Sequence, residues 1–527
     1  MNTDSTFLKA KPYAYFLLLV LTIIYILNFI DRMIISILAE EIKASLHVDD
    51  ASLGFLYGTA FAVFFSIFGI PFARLADMWS RKKLVGFGVF VWSIMSALSG
   101  TANSFALLAL YRVGVGVGES AAAPASLSML ADSFTKNKRA TVFGVWSTGV
   151  FIGSGLGFAI GGATISLYHK WFPDGNAPFG IADWQLSMFM VGLPGLIMAV
   201  IMLMMREPKR GLMDGHETEQ QHPHALKFFM RELAAVVPPF TVISLYELDG
   251  GARLVRQNII FGILLIVMAS ILSYVLGDPV QWITISLGLY SFTSWLQRLK
   301  IIDYPCYSMV FKEKAMRYSV LGFSLIGFTS YGLGFWFAPY IIRRFESTPQ
   351  DVGAIMGIIV FSSGILSIIL GGLMSDMLKK HTPKARPLMG MVSLLALPLY
   401  ALAVMSTHIT EAYMFAALGI FFGMIWIPSA LAMASELSPP RMRATAIAFN
   451  QLAGTLLGLA MGPYAMGKIS DILRYIGYEE ADGLRWGMML AMGIVAPISL
   501  ALLYSSSRFV EGEEKTVFER AKAFGEK

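Results

Sequence analysis

Leu108–Pro124 reads LALYRVGVGVGESAAAP. With its flanks the segment is apolar and long enough to cross a bilayer as a helix, yet it holds Arg112, Glu119 and three glycines. Arg112 and Glu119 are seven residues apart, about two helical turns, which puts them on one face. An ionisable group at the bilayer centre costs about 2.5–3.5 kcal/mol on the insertion scale, so each should face protein or a water-filled cavity and have a partner. Glu119 is thus the candidate proton-responsive group.

Composition supports the same setting. Of 527 residues, 56% are hydrophobic and 14% charged, against about 25% charged in soluble domains. Apolar runs of spanning length follow one another without β-barrel alternation, so helices keep the backbone bonds internal. The net charge of +6 has no basic stripe interleaved with aromatics, which argues against nucleic acid as a partner. Cys306 is the only cysteine, and the seven histidines lack ligand spacing, so neither a disulfide nor a metal is expected, and no cofactor. The first run, 13–38, is too long for a signal-peptide core and is read as a span, its start held in the cytoplasm by Lys9 and Lys11.

The first run places Asn28, Asp31 and Arg32 within apolar sequence. Asp31 and Arg32 project about 100° apart and cannot neutralise each other on one face. Further spans are read at 52–77, 84–100, 105–130, 140–168 and 184–205. The loops ARLADMWSRKK, DSFTKNKR and REPKRG are basic and therefore cytoplasmic, with both termini on that side. An N-terminal six-helix bundle, 12–205, is followed by a linker, 206–318. Within the linker Ala225–Val237 reads as an interfacial helix showing Phe229, Leu233 and Val236 on one side. Two apolar runs joined by Gly277-Asp278-Pro279 read as an inserted transmembrane hairpin, 259–296. A second bundle, 319–505, has spans at 319–342, 351–377, 388–405, 412–435, 444–467 and 486–504, and a charged cytoplasmic tail, 506–527, ends the chain. The fold class is therefore an all-α membrane protein of fourteen spans, or twelve if the hairpin lies on the surface.

The two bundles repeat each other. Gly54, Gly58 and Asp77 recur at Gly353, Gly357 and Asp376, a constant offset of 299. Pro124 and Arg139 recur at Pro428 and Arg443, an offset of 304. A duplicated unit with an even number of spans gives parallel repeats. The intramembrane charges nevertheless lie only in the first copy. The second offers Tyr331, Trp336, Trp426, Asn450 and Gln451, candidates with Asn28 for substrate contact.

ARLADMWSRKK, its echo GGLMSDMLKK, and Arg112 with Gly116 and Gly118 resemble the loop and helix-4 motifs of the major facilitator superfamily across nearly the whole chain outside the linker. NFIDR with GVGE is similar to the spinster-type branch, and the anion:cation symporter branch is the near competitor. The resemblance implies two bundles around a central cavity and alternating access. It implies that Asp77 braces the halves against the start of the 444–467 span and that Arg81 pairs with Asp132, with Asp376 as the echo of this gate. It also implies proton-linked movement of a lysolipid or sphingoid phosphate through Asp31, Arg32 and Glu119, with Arg112 beside them. Ala73, Met78, Ser80 and Phe158 depart from the superfamily motifs, Phe158 standing where the antiporter motif has proline.

Partners implied are a small amphiphilic or anionic substrate, protons and membrane lipids, for a monomer in a bacterial inner membrane. An enzyme would need a paired nucleophile and base, and no HExxH, GxSxG or carboxylate pair is present. A channel would show rings of charge. A transport-inactive sensor and an organic acid symporter remain the alternative readings.

Overall fold

The computed structural model describes residues 12–174, 176–211, 213, 224–439 and 442–523. Lys9, Lys11, most of the polar stretch 206–224 and the last four residues of the tail lie outside these. Fourteen long helices run through the described residues, and no strand occurs among them. They are α1 (Pro12–Ile37), α2 (Asp50–Met78), α3 (Arg81–Ser99), α4 (Phe105–Ser133), α5 (Thr141–Trp171), α6 (Asp183–Met204) and α7 (Gly251–Leu276). Then follow α8 (Pro279–Ile302), α9 (Lys314–Phe345), α10 (Pro349–Lys379), α11 (Ala385–Met405), α12 (Ile409–Glu436), α13 (Thr445–Tyr475) and α14 (Glu480–Lys515). Thirteen, all but α8, are long and apolar enough to cross a membrane.

Proline sets a break in two of them at equivalent places. Pro124 has no N–H to give the carbonyl of Ser120, and the α-helix of α4 is interrupted between Ser120 and Ala122. Pro428 does the same to Met424, and α12 is interrupted between Met424 and Ile427. The repeat seen in the sequence is thus also a repeat of backbone defects. In α4 the defect falls directly after Glu119.

One compact unit comprises residues 1–47, 64–240 and 349–357, and the other residues 48–63, 241–348 and 358–527. In the first, α3 and α4 touch backbone to backbone. A Cβ on Gly118 would meet Trp92 N at 2.7 Å and Gly88 O at 2.9 Å, so no side chain fits there. The short helix Ala225–Ala234 lays Phe229 on Phe72, ring centroids 5.3 Å apart, and leaves Lys227 and Arg231 exposed. In the second unit, α9 packs along α14 around Met316, Phe323 and Leu503.

The hairpin helices α7 and α8 are longer than the apolar runs suggested, because polar residues at their ends stay helical. The turn between them uses left-handed backbone at Gly277 (φ 79°) and Asp278 (φ 55°). Asp278 anchors it, accepting from Tyr464 at 3.0 Å and pairing with Lys468 at 2.9 Å.

The tail differs from expectation. The last span does not stop near Tyr504: α14 continues unbroken to Lys515 and a short helix, Val517–Ala523, follows. Several charges of the tail have specific partners. Glu513 accepts from Ala315 N at 3.0 Å, Glu514 pairs with Lys379 at 2.7 Å, and Arg520 pairs with Glu313 at 2.6 Å.

Outside the spans, the short helix Ala39–Leu46 carries Glu41, whose Oε2 is buried without a hydrogen bond among the described residues. Burial, with help from Asp183 and Glu40, pushes its carboxyl up to about 8. A raised carboxyl contributes stability that is complete below its unfolded value and lost as pH rises through the folded one. The wild type should therefore lose thermal stability as pH rises from about 5 to about 8, with no further loss from this group above that, while Glu41→Gln keeps it; a parallel fall in both would refute the assignment. Separately, Gly118→Ala should cost about 1–3 kcal/mol through overpacking. Gly144→Ala, where a Cβ meets nothing within 4 Å, should be neutral or stabilising in the same melting assay.

Candidate functional site

Four charged side chains on α1 and α4 meet inside the first unit. Asp31, Arg112 and Glu119 are each 1% exposed. Arg32 brings Nε and Nη2 to one oxygen of Glu119, both at 2.7 Å. Arg112 Nη1 reaches Asp31 Oδ2 at 3.2 Å. The other Asp31 oxygen accepts from Ser96 Oγ of α3 at 2.6 Å. Asp31 and Arg32 therefore each point at a different member of the α4 pair, as their 100° separation requires.

The two pairs differ in what surrounds them. Asp31–Arg112 is closed, with both side chains 1% exposed. In Arg32–Glu119 the guanidinium is 17% exposed and sits between the rings of Phe29 and Phe65, at 4.9 and 5.1 Å from their centroids. Glu119 Oε1 is buried with no hydrogen bond among the described residues. Asn28, one turn before Arg32 on α1, likewise has a buried Oδ1 without a partner. A buried acceptor left unsatisfied costs about 1–3 kcal/mol, and a carboxylate oxygen can recover this by taking a proton and finding a partner for it.

The candidates in the second unit are scattered in character. Tyr331 on α9 is 38% exposed. Trp336, five residues on, is fully buried, with its N–H on the carbonyl of Pro463 at 2.7 Å; it is a core residue, not part of a lining. Trp426 lies at the break of α12, its N–H on Gly423 O at 2.9 Å and its ring stacked on Phe323. Asn450 is buried and Gln451 exposed on α13.

Arg81 is fully buried at the start of α3. It pairs with Asp132 and with Glu207 (3.2 Å), and donates to Ser128 (2.9 Å) and Pro208 O (2.7 Å). Asp77 is exposed, and its carboxylate accepts no hydrogen bond among the described residues. Arg210 closes the end of α2 instead, donating to the carbonyls of Ala76, Asp77 and Trp79. Residues 440–441, before the span that was to receive Asp77, lie outside the described residues. In the second unit Asp376 accepts from Arg386 at 2.8 Å, and Arg386 also holds Glu436 at 2.6 Å.

Glu207, Arg210, Arg386 and Glu436 were missed by sequence reasoning. A signal existed for two: the 304 offset carries Asp132 to Glu436, and one residue more carries Arg81 to Arg386. Also missed was a cluster at the other end of the second unit. Asp50, fully buried, accepts from both terminal nitrogens of Arg343 at 2.8 Å and from Ser470 at 2.8 Å. Asp471 takes the N–H groups of Asp50 (3.1 Å) and Ala51 (2.7 Å), capping the first turn of α2. No sequence signal marks this pair, since a charge at a helix end is ordinary. Among the described residues no three His, Cys, Asp or Glu side chains gather as a metal site would need.

A family model described as Major Facilitator Superfamily matches residues 21–463 and 319–523. A sphingosine-1-phosphate transporter, SPNS2, of Danio rerio is 24% identical over 93% of this chain and 83% of its own. Protein spinster homolog 1 of Rattus norvegicus is 24% identical over 96% and 83%. Among solved structures, a bacterial homolog of the human lysosomal transporter Spinster, inward-facing and unoccupied, superposes with a TM-score of 0.68 at 22% identity, covering 97% of this chain and 99% of that one. A peptide transporter bound to alafosfalin gives 0.61 at 14% identity over 95% and 94%.

Removing one partner of a buried ion pair strands the other charge, at about 3–5 kcal/mol. Arg343→Gln should accordingly destabilise strongly in detergent melting, and Arg343→Gln with Asp50→Asn should recover much of the loss. A double variant no better than the single would show that the pair is not the interaction that matters.

Proposed function

The chain belongs to the major facilitator superfamily; on that premise we propose that it is a proton-coupled transporter of an amphiphilic anion, such as a lysolipid or sphingoid phosphate. It is an integral membrane transporter and not an enzyme. The observation that carries the coupling is the Arg32–Glu119 pair, with one carboxylate oxygen committed to the guanidinium and the other buried and idle.

At an effective dielectric near 20, two unit charges at 4 Å attract by about 4 kcal/mol. A proton on Glu119 removes most of that attraction and frees Arg32. Moving a two-state equilibrium from 1:99 to 99:1 takes about 5.5 kcal/mol, so one such event is of the size needed to bias alternating access. The freed guanidinium, flanked by Phe29 and Phe65, offers a planar fork for a phosphate with aromatic surface beside it for the chain. The name of the Danio rerio relative supports this substrate class. Asn28, Tyr331, Trp426, Asn450 and Gln451 stay in the proposed binding set, and Trp336 leaves it.

In the same reading Asp31–Arg112 is the fixed pair that holds α1 to α4 while its neighbour opens. The Arg81–Asp132–Glu207 and Arg386–Asp376–Glu436 groups, and the Asp50–Arg343 pair, are contacts that set how easily states interchange. The basic loops support a reading in which both termini lie on the cytoplasmic side, and the proposed location is a bacterial inner membrane.

In proteoliposomes, uptake of a fluorescent lysolipid should depend on an imposed pH gradient, and Glu119→Gln should lose that dependence while still binding substrate. Arg32→Ala should lose binding as well. Gradient-driven uptake retained by Glu119→Gln would refute the assignment of the proton site.

A further inference from the structure

The hairpin ends in an arrangement that the transport reading does not use. Lys300, Ile301 and Ile302 close α8, Asp303 caps the short helix Tyr304–Tyr307 by accepting from Cys306 N, and Lys312 returns beside it. Lys312 Nζ donates to the hydroxyl of Tyr304 at 2.9 Å and lies 5.0 and 5.8 Å from the ring centroids of Tyr304 and Tyr307. Lys300 Nζ lies 5.9 Å from the same Tyr307 ring. Two ammonium groups thus share one aromatic ring, and among the described residues neither forms a salt bridge with a carboxylate.

The surroundings are apolar and open. Ile301, Ile302 and Tyr304 are 40%, 58% and 42% exposed. On α7, the neighbouring arm of the hairpin, only 11% of the most apolar window is buried, so this arm turns its aliphatic surface outward. Depth follows from α7, which is apolar enough to cross a membrane: its Asn258 donates to Gln297 at 2.9 Å, so Lys300, three residues on, lies level with the first turns of α7, about 32 Å from the Gly277-Asp278 turn at 1.5 Å per residue, against about 30 Å of hydrocarbon. With the Gly277-Asp278 turn at one membrane face, Lys300 and Lys312 come level with the lipid phosphates of the other. The local potential is positive enough to pull the Tyr304 hydroxyl below its ordinary pKa, chiefly through the Lys312 hydrogen bond and charge, with Lys300 adding to it.

We propose that Lys300, Lys312, Tyr304 and Tyr307 form a headgroup site for an anionic membrane lipid, its phosphate between the two ammonium groups and an acyl chain along Ile301, Ile302 and the outer face of α7. The partner is a lipid and not a soluble anion because exposed isoleucines border the lysines and the helix length sets the site at headgroup depth. Zwitterionic lipid should compete poorly, since its ammonium brings a third positive charge to the ring.

Native mass spectrometry of the full chain tests this, with phosphatidylglycerol, phosphatidylcholine or inorganic phosphate added. Phosphatidylglycerol adducts should be retained on the wild type and fall about thirtyfold in Lys300→Ala/Lys312→Ala, at about 1 kcal/mol per lysine. The control Lys170→Ala, which removes one exposed lysine at the end of α5, should behave as wild type. Tyr307→Leu, which keeps both charges, should weaken binding less than the double variant. Melting without lipid separates lost binding from lost fold, since removing two exposed ammonium groups should leave it unchanged. Undiminished adducts on the double variant, equal retention of phosphatidylcholine, or displacement of phosphatidylglycerol by inorganic phosphate would each overturn the proposal.

Discussion

Four charges in an apolar interior must neutralise each other locally, and that requirement organises the first unit. A lone carboxylate or guanidinium there would cost several kcal/mol after relaxation. Asp31 and Arg32, adjacent on α1, cannot satisfy each other, and Arg112 and Glu119 are two turns apart on α4. Crossing the pairs, Arg32 to Glu119 and Arg112 to Asp31, is the arrangement that leaves no net charge buried. It fixes the azimuth of α1 against α4, and the backbone contact of Gly118 with Gly88 brings α3 close enough for Ser96 to complete Asp31.

The duplication explains what that requirement is laid upon. Both halves break their fourth helix at a proline, and both hold a buried or half-buried arginine between acids near the loop that follows their second helix. The charges are not duplicated. The positions 304 residues beyond Arg112 and Glu119 are Ala416 and Gly423, and Gly423 uses its carbonyl to accept from Ser330 and Trp426. One half has kept an ionisable centre where the other has an aromatic and a bare backbone. In the proposed reading the first half takes the proton and the second the apolar body of the substrate.

Much of this was legible in the chain itself. A charge within an apolar run announces itself, and so do a proline at a fixed offset and a basic loop after a span. Pairing was less so. Helical spacing puts Arg112 and Glu119 on one face but does not say whether Arg32 or Arg112 meets Glu119. Asp50–Arg343 was invisible because each residue sits at a helix end, where water would serve as well, and 293 residues separate them. The partners of the tail were hidden for a related reason: nothing near Glu513, Glu514 and Arg520 in sequence marks their partners on α9 and α10 and at Glu313. Trp336 looked like a ligand-contacting aromatic because sequence gives its helix but not its azimuth.

The most direct test of the central claim is to observe the proton itself. Infrared difference spectra between acid and neutral pH should show one protonated-carboxyl band from the membrane interior that disappears in Glu119→Gln and shifts in Arg32→Lys. The account predicts that band to grow as Arg32 loses its partner. The same band surviving Glu119→Gln at full intensity would contradict it and move the proton to another acid.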